Sequence, residues 1–396
     1  MSLRGALATK QSPLRGDRHA RPKRGGLAMT GKGFRMPAEW EPHAATWLAW
    51  PKNNVTWPGR LLGEVESIYI QMIRALLPGE KVNLLVDDAR TVQAVLEKLN
   101  PKKNKARNLV FHKVNVVDAW IRDYGPIFVR TVDSRQKTVD EEKQKTWSTV
   151  YRLPSTKVAF VKWVFNAWGG KYSDLARDNG VVNRIDALKS FQRLDTGVVL
   201  EGGSIDVNGL GTCLTTEQCL LHPRRNPRLS KKDIERYLAH TLGVKKLIWL
   251  KRGLEGDDTD GHVDDIARFV DENTVLTAAE PDKSDKNHGI LKEDFEILKN
   301  STDQGGKRLR VVELPMPGKV GPARKDMAHT RLPASYANFY IANGVVLVPV
   351  YGHKNDRLAV KIIQGVFPDR KIVSIECTAL VYGLGSIHCV TQQEPA

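Results

Sequence analysis

The sequence predicts a single α/β domain that is built from repeated supersecondary units, not from a plain doubly wound sheet. Strand-like and helix-like segments alternate from Met36 onward, as in α/β proteins. Signals for hairpins recur more often than a simple series of βαβ crossovers would require. A hairpin, a helix and a further strand return roughly every 50 to 70 residues, which indicates a structural repeat without obvious sequence identity.

The first third of the domain carries two helical patterns and two strand regions. Apolar residues at helical spacing predict a helix over residues 63–77, and a continuous apolar run predicts a buried strand over 81–88. A second helical pattern covers 89–99 and is ended by Pro101. Residues 114–130 predict a strand, a loop and another strand. The charged residues 133–148 are typical of an exposed insertion.

Hairpins dominate the rest of the chain. Paired strand patterns around short turns predict hairpins over residues 198–216, 262–279 and 339–350, with Asn208-Gly209 and Asn343-Gly344 as turn residues. Ser230 and Gly243 supply a start signal and a stop signal for one helix. The helices and strands predicted to alternate with the hairpins cover residues 230–243, 245–250, 356–367 and 371–377.

The positive charge of the chain is concentrated in its first residues. The net charge is +16, and residues 1–35 supply +8 of it through nine Lys or Arg side chains and one Asp. This polar segment has no apolar core of the kind found in a secretory signal. We therefore predict a disordered basic tail or an organellar transit peptide over residues 1–35, followed by one catalytic domain over 36–396. An arm for nucleic acid is disfavoured because no aromatic residue precedes Phe34.

Composition excludes several other classes of protein. The sequence contains no run of 18 apolar residues, so we expect no membrane span. Its four cysteines show neither CxxC nor zinc spacing, which favours free thiols and argues against a metal site. Neither a GxGxxG nor a P-loop motif is present, so we expect no dinucleotide or nucleotide cofactor.

Four polar positions beside glycines or strand ends are candidates for chemistry. They are Asp123 in "WIRDYGP", Glu201 in "LEGGS", the pair His262 and Asp264 in "TDGHVDD", and Cys389 in "IHC". Residues i and i+2 of a strand face the same side, so the pair is expected to reach one pocket. Taken singly, each position is more often structural than functional.

Taken together, these positions combine a nucleophile, an acid–base group and three carboxylates. A cysteine and a histidine can carry out nucleophilic and general acid–base catalysis. Several carboxylates in one pocket need a cationic partner, because unpaired buried charges are costly. A planar guanidinium that is held bidentately by carboxylates fits this requirement.

The sequence resembles the agmatine deiminases of the guanidino-group-modifying, peptidylarginine-deiminase-like superfamily. The resemblance rests on ordered blocks from Met36 to Pro395: "MPAEWEPHAATWLAWP", "WIRDYGPIFV", "FNAWGGKY", "LEGGSIDVNGLGTCLTTEQCLL", "TDGHVDDIARFV", "SYANFYIANG" and "IHCVTQQEP". It implies a pentein-type α/β propeller of five ββαβ units around a pseudo-fivefold axis, with the site in a central channel. It also implies hydrolysis of agmatine to N-carbamoylputrescine and ammonia, in putrescine biosynthesis, without metal or cofactor.

The same resemblance implies roles for individual residues. Cys389 matches the nucleophile and His262 the general acid–base. Asp123 and Asp264 match the pair that clamps the guanidinium, and Glu201 matches an acid that orients the histidine or binds a substrate nitrogen.

Two neighbours of these residues are treated separately. Trp120 is expected either to wall the apolar chain of the substrate or to serve as a core tryptophan. His388 is expected to point away from the site, because it neighbours Cys389 on a chain predicted to be extended.

The sequence departs from the family pattern before the nucleophile, where "GLGSIHC" carries Leu384 and Ser386 in a run that is usually three glycines and an asparagine. The segment between Asn166 and Glu201 is also unusual, and we expect it to border the pocket for the substrate's far amine. These departures leave substrate length less certain than reaction type.

Three alternatives to an agmatine deiminase stay open at this point. One is a peptidyl-arginine or free-arginine deiminase of the same superfamily. Another is a catalytically weakened guanidine-binding protein. The third is a nucleic-acid-binding protein, suggested only by the charge. Our expectation is a small-molecule guanidinium substrate, no nucleic-acid or membrane partner, and room for a homodimer. We expect a cytoplasmic enzyme, or a plastid or mitochondrial one if residues 1–35 are a transit peptide.

Overall fold

The computed structural model describes residues 32–100, 107–133, 157–321 and 331–396. Within these residues the strands form five small sheets, two with four strands and three with three. The insertion predicted over 133–148 lies, apart from Asp133, outside the described residues.

All five sheets contain the same unit. Each has an antiparallel strand pair followed by a third strand that runs parallel to the second. A parallel neighbour cannot be reached by a tight turn, so helical segments make the crossover. The predicted α/β fold of five ββαβ units is confirmed.

The first unit joins the two ends of the domain. Its strands are Thr391–Pro395, His43–Ala49, Lys81–Val86 and Leu109–Lys113, and its helices are Arg60–Leu76 and Ala89–Leu99. The second unit has strands Lys32–Arg35, Ile127–Asp133, Val158–Val164 and Gln192–Val199, short helices Ile121–Tyr124 and Ala167–Gly170, and 3₁₀ helices Leu175–Arg184 and Asp186–Ser190.

The other three units are smaller. The third has strands Asp206–Val207, Thr212–Thr216 and Lys246–Leu250 with helices Glu217–Leu220 and Lys231–Leu242. The fourth has strands Ala267–Phe269, Thr274–Ala279 and Arg310–Pro315 with helix Lys286–Asn300. The fifth has strands Tyr340–Ala342, Val345–Val350 and Lys371–Glu376 with helices Asp356–Val366 and Thr378–Val381.

The core lies between these sheets and their crossover helices. Helix Arg60–Leu76 buries one apolar stripe and contacts strands Val345–Val350 and Lys371–Glu376 of the neighbouring unit. Its stripe includes Val65 and Met72, as the sequence spacing predicts. Each such fully buried side chain stabilises the fold by about 1.5–3 kcal/mol, so this helix ties two units together.

The strand predicted at residues 114–118 was wrong. These residues do not form a strand, because the backbone amides of Val117 and Asp118 donate to the Asp178 carboxylate, at 2.7 and 2.9 Å, and not to a neighbouring strand. Strand Lys32–Arg35, which belongs to the segment predicted as a tail, pairs with Arg130–Asp133.

Candidate functional site

The candidate residues lie at equivalent places in the repeated units. In each unit a polar residue lies shortly before the first strand of the repeated three-strand unit, which is Ile127–Asp133 in the second sheet. These residues are Asp123, Glu201, Asp264, Asn338 and Cys389. Because five units of one topology are arranged together, these positions converge. The convergence explains why residues that are far apart in the sequence form one site.

His262 and Asp264 do not lie on a strand as predicted. Asp264 lies within the 3₁₀ turn Val263–Asp265, and His262 directly precedes that turn. Both still reach the site: His262 Nδ1 lies 3.8 Å from Asp123 Oδ1, and Asp264 Oδ2 lies 3.9 Å from Cys389 Sγ. The structure thus brings both side chains close to other candidate residues, although the strand argument for this was wrong.

Cys389 is a buried thiol in the 3₁₀ turn His388–Val390. The side-chain amide of Asn338 donates to its sulfur over 3.2 Å. Burial, followed by the carboxylates of Asp264, Asp265 and Asp123, raises the pKa of Cys389 well above its ordinary value. The thiol is therefore neutral at physiological pH when no cation occupies the site.

The His262 imidazole is fully buried beside an acid. Burial opposes the charged ring, but the nearby Asp123 carboxylate and Cys219 thiol outweigh it and raise the pKa of His262 well above its usual value. Neither ring nitrogen has a hydrogen-bond partner within the described part of the chain. This group can give up a proton once another group approaches it.

Asp123 is held by neutral donors. Its Oδ2 accepts a hydrogen bond from the Trp168 indole at 2.9 Å, and its Oδ1 accepts one from the Gly203 amide at 3.1 Å. Burial raises the pKa of Asp123 to about 6, against the lowering influence of His262. Its charge is therefore lost in mildly acidic solution.

Glu201 already has a cationic partner, which the sequence analysis did not anticipate. Arg225 Nε donates to Glu201 Oε1 at 2.9 Å, and the same guanidinium contacts Asp260. The other oxygen, Oε2, is buried and has no partner among the described residues. Glu201, Cys219 and His262 have ligand-type atoms within 4.8 Å of one another.

His388 does not point away from the site. Its backbone is in a 3₁₀ turn and not extended, so adjacent side chains are not forced to opposite faces. Its Nδ1 lies 2.6 Å from Asp264 Oδ2 and its Nε2 lies 2.8 Å from Glu39 Oε2. The expectation for His388 was wrong because the turn could not be read from the sequence.

Gly203 lies against three of the candidate side chains. A Cβ added there would lie 2.6 Å from His262 Nδ1, 3.0 Å from Asp264 Oδ2 and 3.1 Å from Asp123 Oδ1. Real Cβ atoms do not approach other atoms so closely, so only glycine fits without movement. The second glycine of "LEGGS" therefore allows the three side chains to approach one another.

A cavity of about 110 Å³ opens onto Asp123 and Cys389. Trp120 and Trp168 line it with them, as do Asn53, Thr56, Tyr172 and Asp174. Trp120 also packs on Trp57, with ring centroids 5.3 Å apart. The tryptophan is thus both a cavity wall and part of the core, so neither of its two expected roles excludes the other.

The unusual run before the nucleophile forms part of the same cavity. Leu384 has a φ of 74°, which is the left-handed region that side chains other than glycine rarely adopt. It lines the cavity beside Gly385, where a Cβ would lie 2.5 Å from Trp120. This segment therefore lies beside Cys389 in the cavity wall.

Sequence reasoning missed several contributors to the site. Asn338, which hydrogen-bonds to Cys389, Asp265 and the His388 amide, lies inside a quoted block and precedes a first strand, so its topological place could have revealed it. Glu39 also lies inside a quoted block, "MPAEWEPHAATWLAWP", whereas Arg225 lies outside all of the quoted blocks.

The geometry does not favour a metal at either close cluster in the described residues. At Glu201, Cys219 and His262, the Arg225 cation lies 2.9 Å from the glutamate, and the histidine holds its proton strongly. A metal needs a neutral histidine and a thiolate, so it would have to displace protons beside a fixed cation. The second cluster, Asp264, Asp265 and Cys389, contains the candidate nucleophile itself.

Comparison with solved structures shows that this fold is shared with agmatine deiminases. An agmatine deiminase of Enterococcus faecalis, described as catalysing its reaction, matches with a TM-score of 0.78 and 34% identity over 92% of this chain and 96% of that one. A substrate-bound agmatine deiminase of C. jejuni with a cysteine-to-serine substitution matches with a TM-score of 0.75 and 29% identity over 93% and 98%. The five units form the pentein fold that the resemblance implied.

Sequence comparison then gives the family. The model of the Porphyromonas-type peptidyl-arginine deiminases matches residues 35–395, so the chain belongs to that family. An agmatine deiminase of Medicago truncatula is 37% identical over 392 aligned positions, covering 93% of this chain and 98% of the relative. The resemblance to agmatine deiminases is confirmed over the whole domain.

In the ranges that the structure describes, the longest helices fall short of the length and apolar character that a bilayer crossing requires.

Proposed function

We propose that this protein hydrolyses agmatine to N-carbamoylputrescine and ammonia, a step toward putrescine. The observation that carries the proposal is a set of buried polar atoms without partners in the described structure: Glu201 Oε2, Asp264 Oδ1 and both ring nitrogens of His262. Leaving such atoms unpaired costs about 1–3 kcal/mol each. A guanidinium offers several N–H donors in one plane and matches the carboxylate atoms of this set.

In the proposed complex, Asp123 and Asp264 hold the guanidinium through charge-assisted hydrogen bonds. The substrate cation offsets the carboxylates that keep Cys389 neutral, and so it favours the thiolate. Trp120 and Trp168 contact the apolar methylene chain. This arrangement makes the substrate part of what activates the nucleophile.

The first half of the reaction forms a covalent intermediate. The Cys389 thiolate attacks the guanidinium carbon and forms a C–S bond. The imidazolium of His262 transfers a proton to one amino nitrogen, the C–N bond breaks, and ammonia leaves. The product of this half is an S-alkylthiouronium on Cys389 and a neutral His262.

The second half consumes one water. Neutral His262 takes a proton from the water as its oxygen attacks the same carbon. Collapse of the adduct breaks the C–S bond, and the remaining hydroxyl proton passes to solvent. The neutral ureido product is released, and the Cys389 thiolate and protonated His262 are regenerated. The sum is agmatine plus water giving N-carbamoylputrescine plus ammonia.

The lining of the cavity favours an amine over a carboxylate at the far end of the substrate. Asp123, Asp174 and Asp258 contribute acidic side chains, and no Lys or Arg is among its lining residues in the described chain. The α-carboxylate of free arginine would meet this negative surface, whereas the amine of agmatine is attracted to it. The segment after Asn166 contributes to this end through Tyr172 and Asp174, as its position in the sequence suggested.

Peptidyl-arginine deimination is the second candidate, because the family model is named for it. Ammonia release from agmatine, free arginine and an arginine peptide at equal concentrations separates the two functions. We expect agmatine to be turned over fastest. Equal or faster turnover of the peptide would overturn the assignment, and tight agmatine binding without ammonia release would indicate a guanidine-binding protein.

Replacement of the thiol tests the nucleophile. Cys389→Ser should reduce turnover to background, because an alcohol is far less nucleophilic than a thiolate. Cys377→Ser is the matched control, since Cys377 is also fully buried and raised in pKa but does not line the cavity. Wild-type activity in Cys389→Ser would refute the role. Cys219 is not a suitable control, because its thiol lies near His262.

Residues 1–31 and the location of the protein form a separate proposal. We expect a deletion of residues 1–31 to keep full activity, because strand Lys32–Arg35 and the site remain. Imaging of residues 1–31 fused to a reporter distinguishes a cytoplasmic protein from an organellar one. Light scattering of the purified protein tests the homodimer, and a filter-binding assay with and without residues 1–31 tests nucleic-acid binding.

A further inference from the structure

His388 lies between two acids, and its ring nitrogens have one acid each. Nδ1 lies 2.6 Å from Asp264 Oδ2 and Nε2 lies 2.8 Å from Glu39 Oε2. A neutral imidazole can donate only one hydrogen bond, whereas an imidazolium donates two. The number of protons on this ring therefore decides the charge of Asp264.

Glu39 cannot be the protonated partner. Its Oε1 accepts a hydrogen bond from the Ile341 amide at 2.8 Å and lies 2.8 Å from the Arg268 guanidinium in an ion pair. Its Oε2 faces His388 and, at 3.5 Å, Arg122. Every neighbour of both oxygens is a donor, so Glu39 is an ionised acceptor and His388 donates to it from Nε2.

Within the group formed by Glu39, Asp206, Asp264, Arg122 and Arg268, the charges balance only if His388 is also charged. Glu39 and Asp206 contact the guanidinium groups of Arg122 and Arg268, and the third carboxylate, Asp264, is connected to them through His388. The imidazolium of His388 supplies the third positive charge. With a neutral ring, this buried network would carry an excess negative charge, which is costly away from water.

We propose that His388 is a positioning residue: as a permanent imidazolium held by Glu39, it keeps Asp264 ionised and occupies its Oδ2, leaving Oδ1 for the substrate guanidinium. Asp264 Oδ1 is buried and has no partner among the described residues. This role deepens the proposed function and rests on it for the identity of the substrate. The protonation of the ring itself does not depend on that function.

The other charged groups around this pair limit the interpretation. Those around His388 and Asp264 are Glu39, Arg122, Asp123, His262, Asp265, Arg268 and the Cys389 thiol. The cations among them favour ionised Asp264. Burial and the Asp264 carboxylate raise the pKa of the neighbouring Asp265 well above the usual value. Among the described residues, His388 alone gives Asp264 a direct contact to a cationic side chain.

The first experiment measures the ring directly. Full-length protein labelled with ¹⁵N-histidine is titrated by NMR, and the His388 signals are assigned by their loss in His388→Gln. Because each nitrogen faces a carboxylate, we expect both to carry a proton in the folded protein at pH 7. A neutral tautomer at pH 7 would overturn the proposal, whether or not the protein acts on agmatine.

The second experiment measures the effect on the substrate. His388→Gln should lower kcat/KM for agmatine by roughly 10- to 100-fold at pH 7, mainly through KM, because each unit of pKa change in Asp264 corresponds to a tenfold change. The loss should shrink as pH rises and Asp264 ionises again. A loss that is the same at every pH would mean a purely structural role and would overturn the proposal.

His43→Gln is the matched control. His43 is also buried, with one ring nitrogen facing an acid and the other a carbonyl, but it contacts Glu80 and the Glu39 backbone and not Asp264. We expect it to lower thermal stability and to leave the pH profile of kcat/KM in place. A shift of the profile equal to that of His388→Gln would show that any lost buried histidine produces the effect, and the proposal would fail.

Discussion

Asp123 and Asp264 are expected to clamp opposite parts of one guanidinium, yet their surroundings differ. Asp264 is bound to a ring that is itself bound to Glu39. Burial raises the pKa of Asp264, but the hydrogen bond and charge of His388, together with His262 and Arg268, lower it overall. Asp123 is bound by an indole and a backbone amide, and burial raises its pKa to about 6. Two carboxylates with the same expected task thus differ in charge at mildly acidic pH.

The difference shows that the supporting hydrogen bonds, and not burial alone, set the charge of a buried acid. Both side chains are almost fully buried. The donor at Asp264 is cationic, whereas the donors at Asp123 are neutral and compensate less. We infer that Asp264 is a fixed anion and that Asp123 is the acid that titrates.

Removal of the fixed charge should have the largest effect. Asp264→Asn should lower kcat/KM for agmatine by roughly 30- to 5,000-fold, because a lost charged contact to a buried cation costs about 2–5 kcal/mol. It also leaves His388 with one charged partner. Steady-state kinetics across pH checks this, and a change below about threefold would place Asp264 outside the substrate's contacts.

Asp123→Asn should have a smaller effect that depends on pH. In the wild type, Asp123 is charged above its pKa of about 6, so kcat/KM should fall as the pH drops through that value. The variant has no charge to lose, so this acidic limb should disappear. We expect a loss of at least tenfold at pH 8 and little difference near pH 5. An unchanged acidic limb in the variant would assign the titration to another group.

A methyl group between the two acids should affect both at once. Gly203→Ala places a Cβ against His262, Asp264 and Asp123, and such overpacking costs about 1–3 kcal/mol. We expect kcat/KM to fall by roughly 5- to 150-fold without loss of the acidic limb. Gly197→Ala is a control of the same chemistry in a place with no neighbour within 4 Å, although its φ of 67° adds strain that is absent at Gly203. Equal activity in Gly203→Ala and wild type would show that the backbone moves away freely.

The smallest effect is expected from replacing Leu384 in the cavity wall. Leu384→Gly removes a left-handed leucine, whose conformation costs about 1–2 kcal/mol, but it also removes a partly buried side chain. We expect the free energy of unfolding to change by less than about 1 kcal/mol and agmatine turnover to stay within threefold. Denaturant unfolding and the ammonia assay measure both. A large gain in turnover would identify Leu384 as a brake on this reaction.

The sequence patterns predicted repeated α/β units, and the resemblance to a known family supplied their number and grouped Cys389, His262, Asp123, Asp264 and Glu201. Strand and helix periodicity depends on local burial, and the blocks around these residues are distinctive. The partners that set their charge were not predictable in the same way. Arg225 binds Glu201 and Glu39 binds His388 through loops whose meeting depends on the complete fold. The direction of His388 depended on one 3₁₀ turn, which leaves no periodic signal.

The strand that follows Cys389 joins the most distant parts of the described chain. Thr391–Pro395 pairs with His43–Ala49, and Trp47 donates to Glu394 across 347 residues of sequence. Contacts between such distant residues form late, because a long loop must first be closed. On the ribosome, this strand also emerges after every other described unit. The thiol therefore meets Asp264 only once the other four sheets can have folded, so chains interrupted during synthesis lack the nucleophile altogether and cannot act on substrate prematurely.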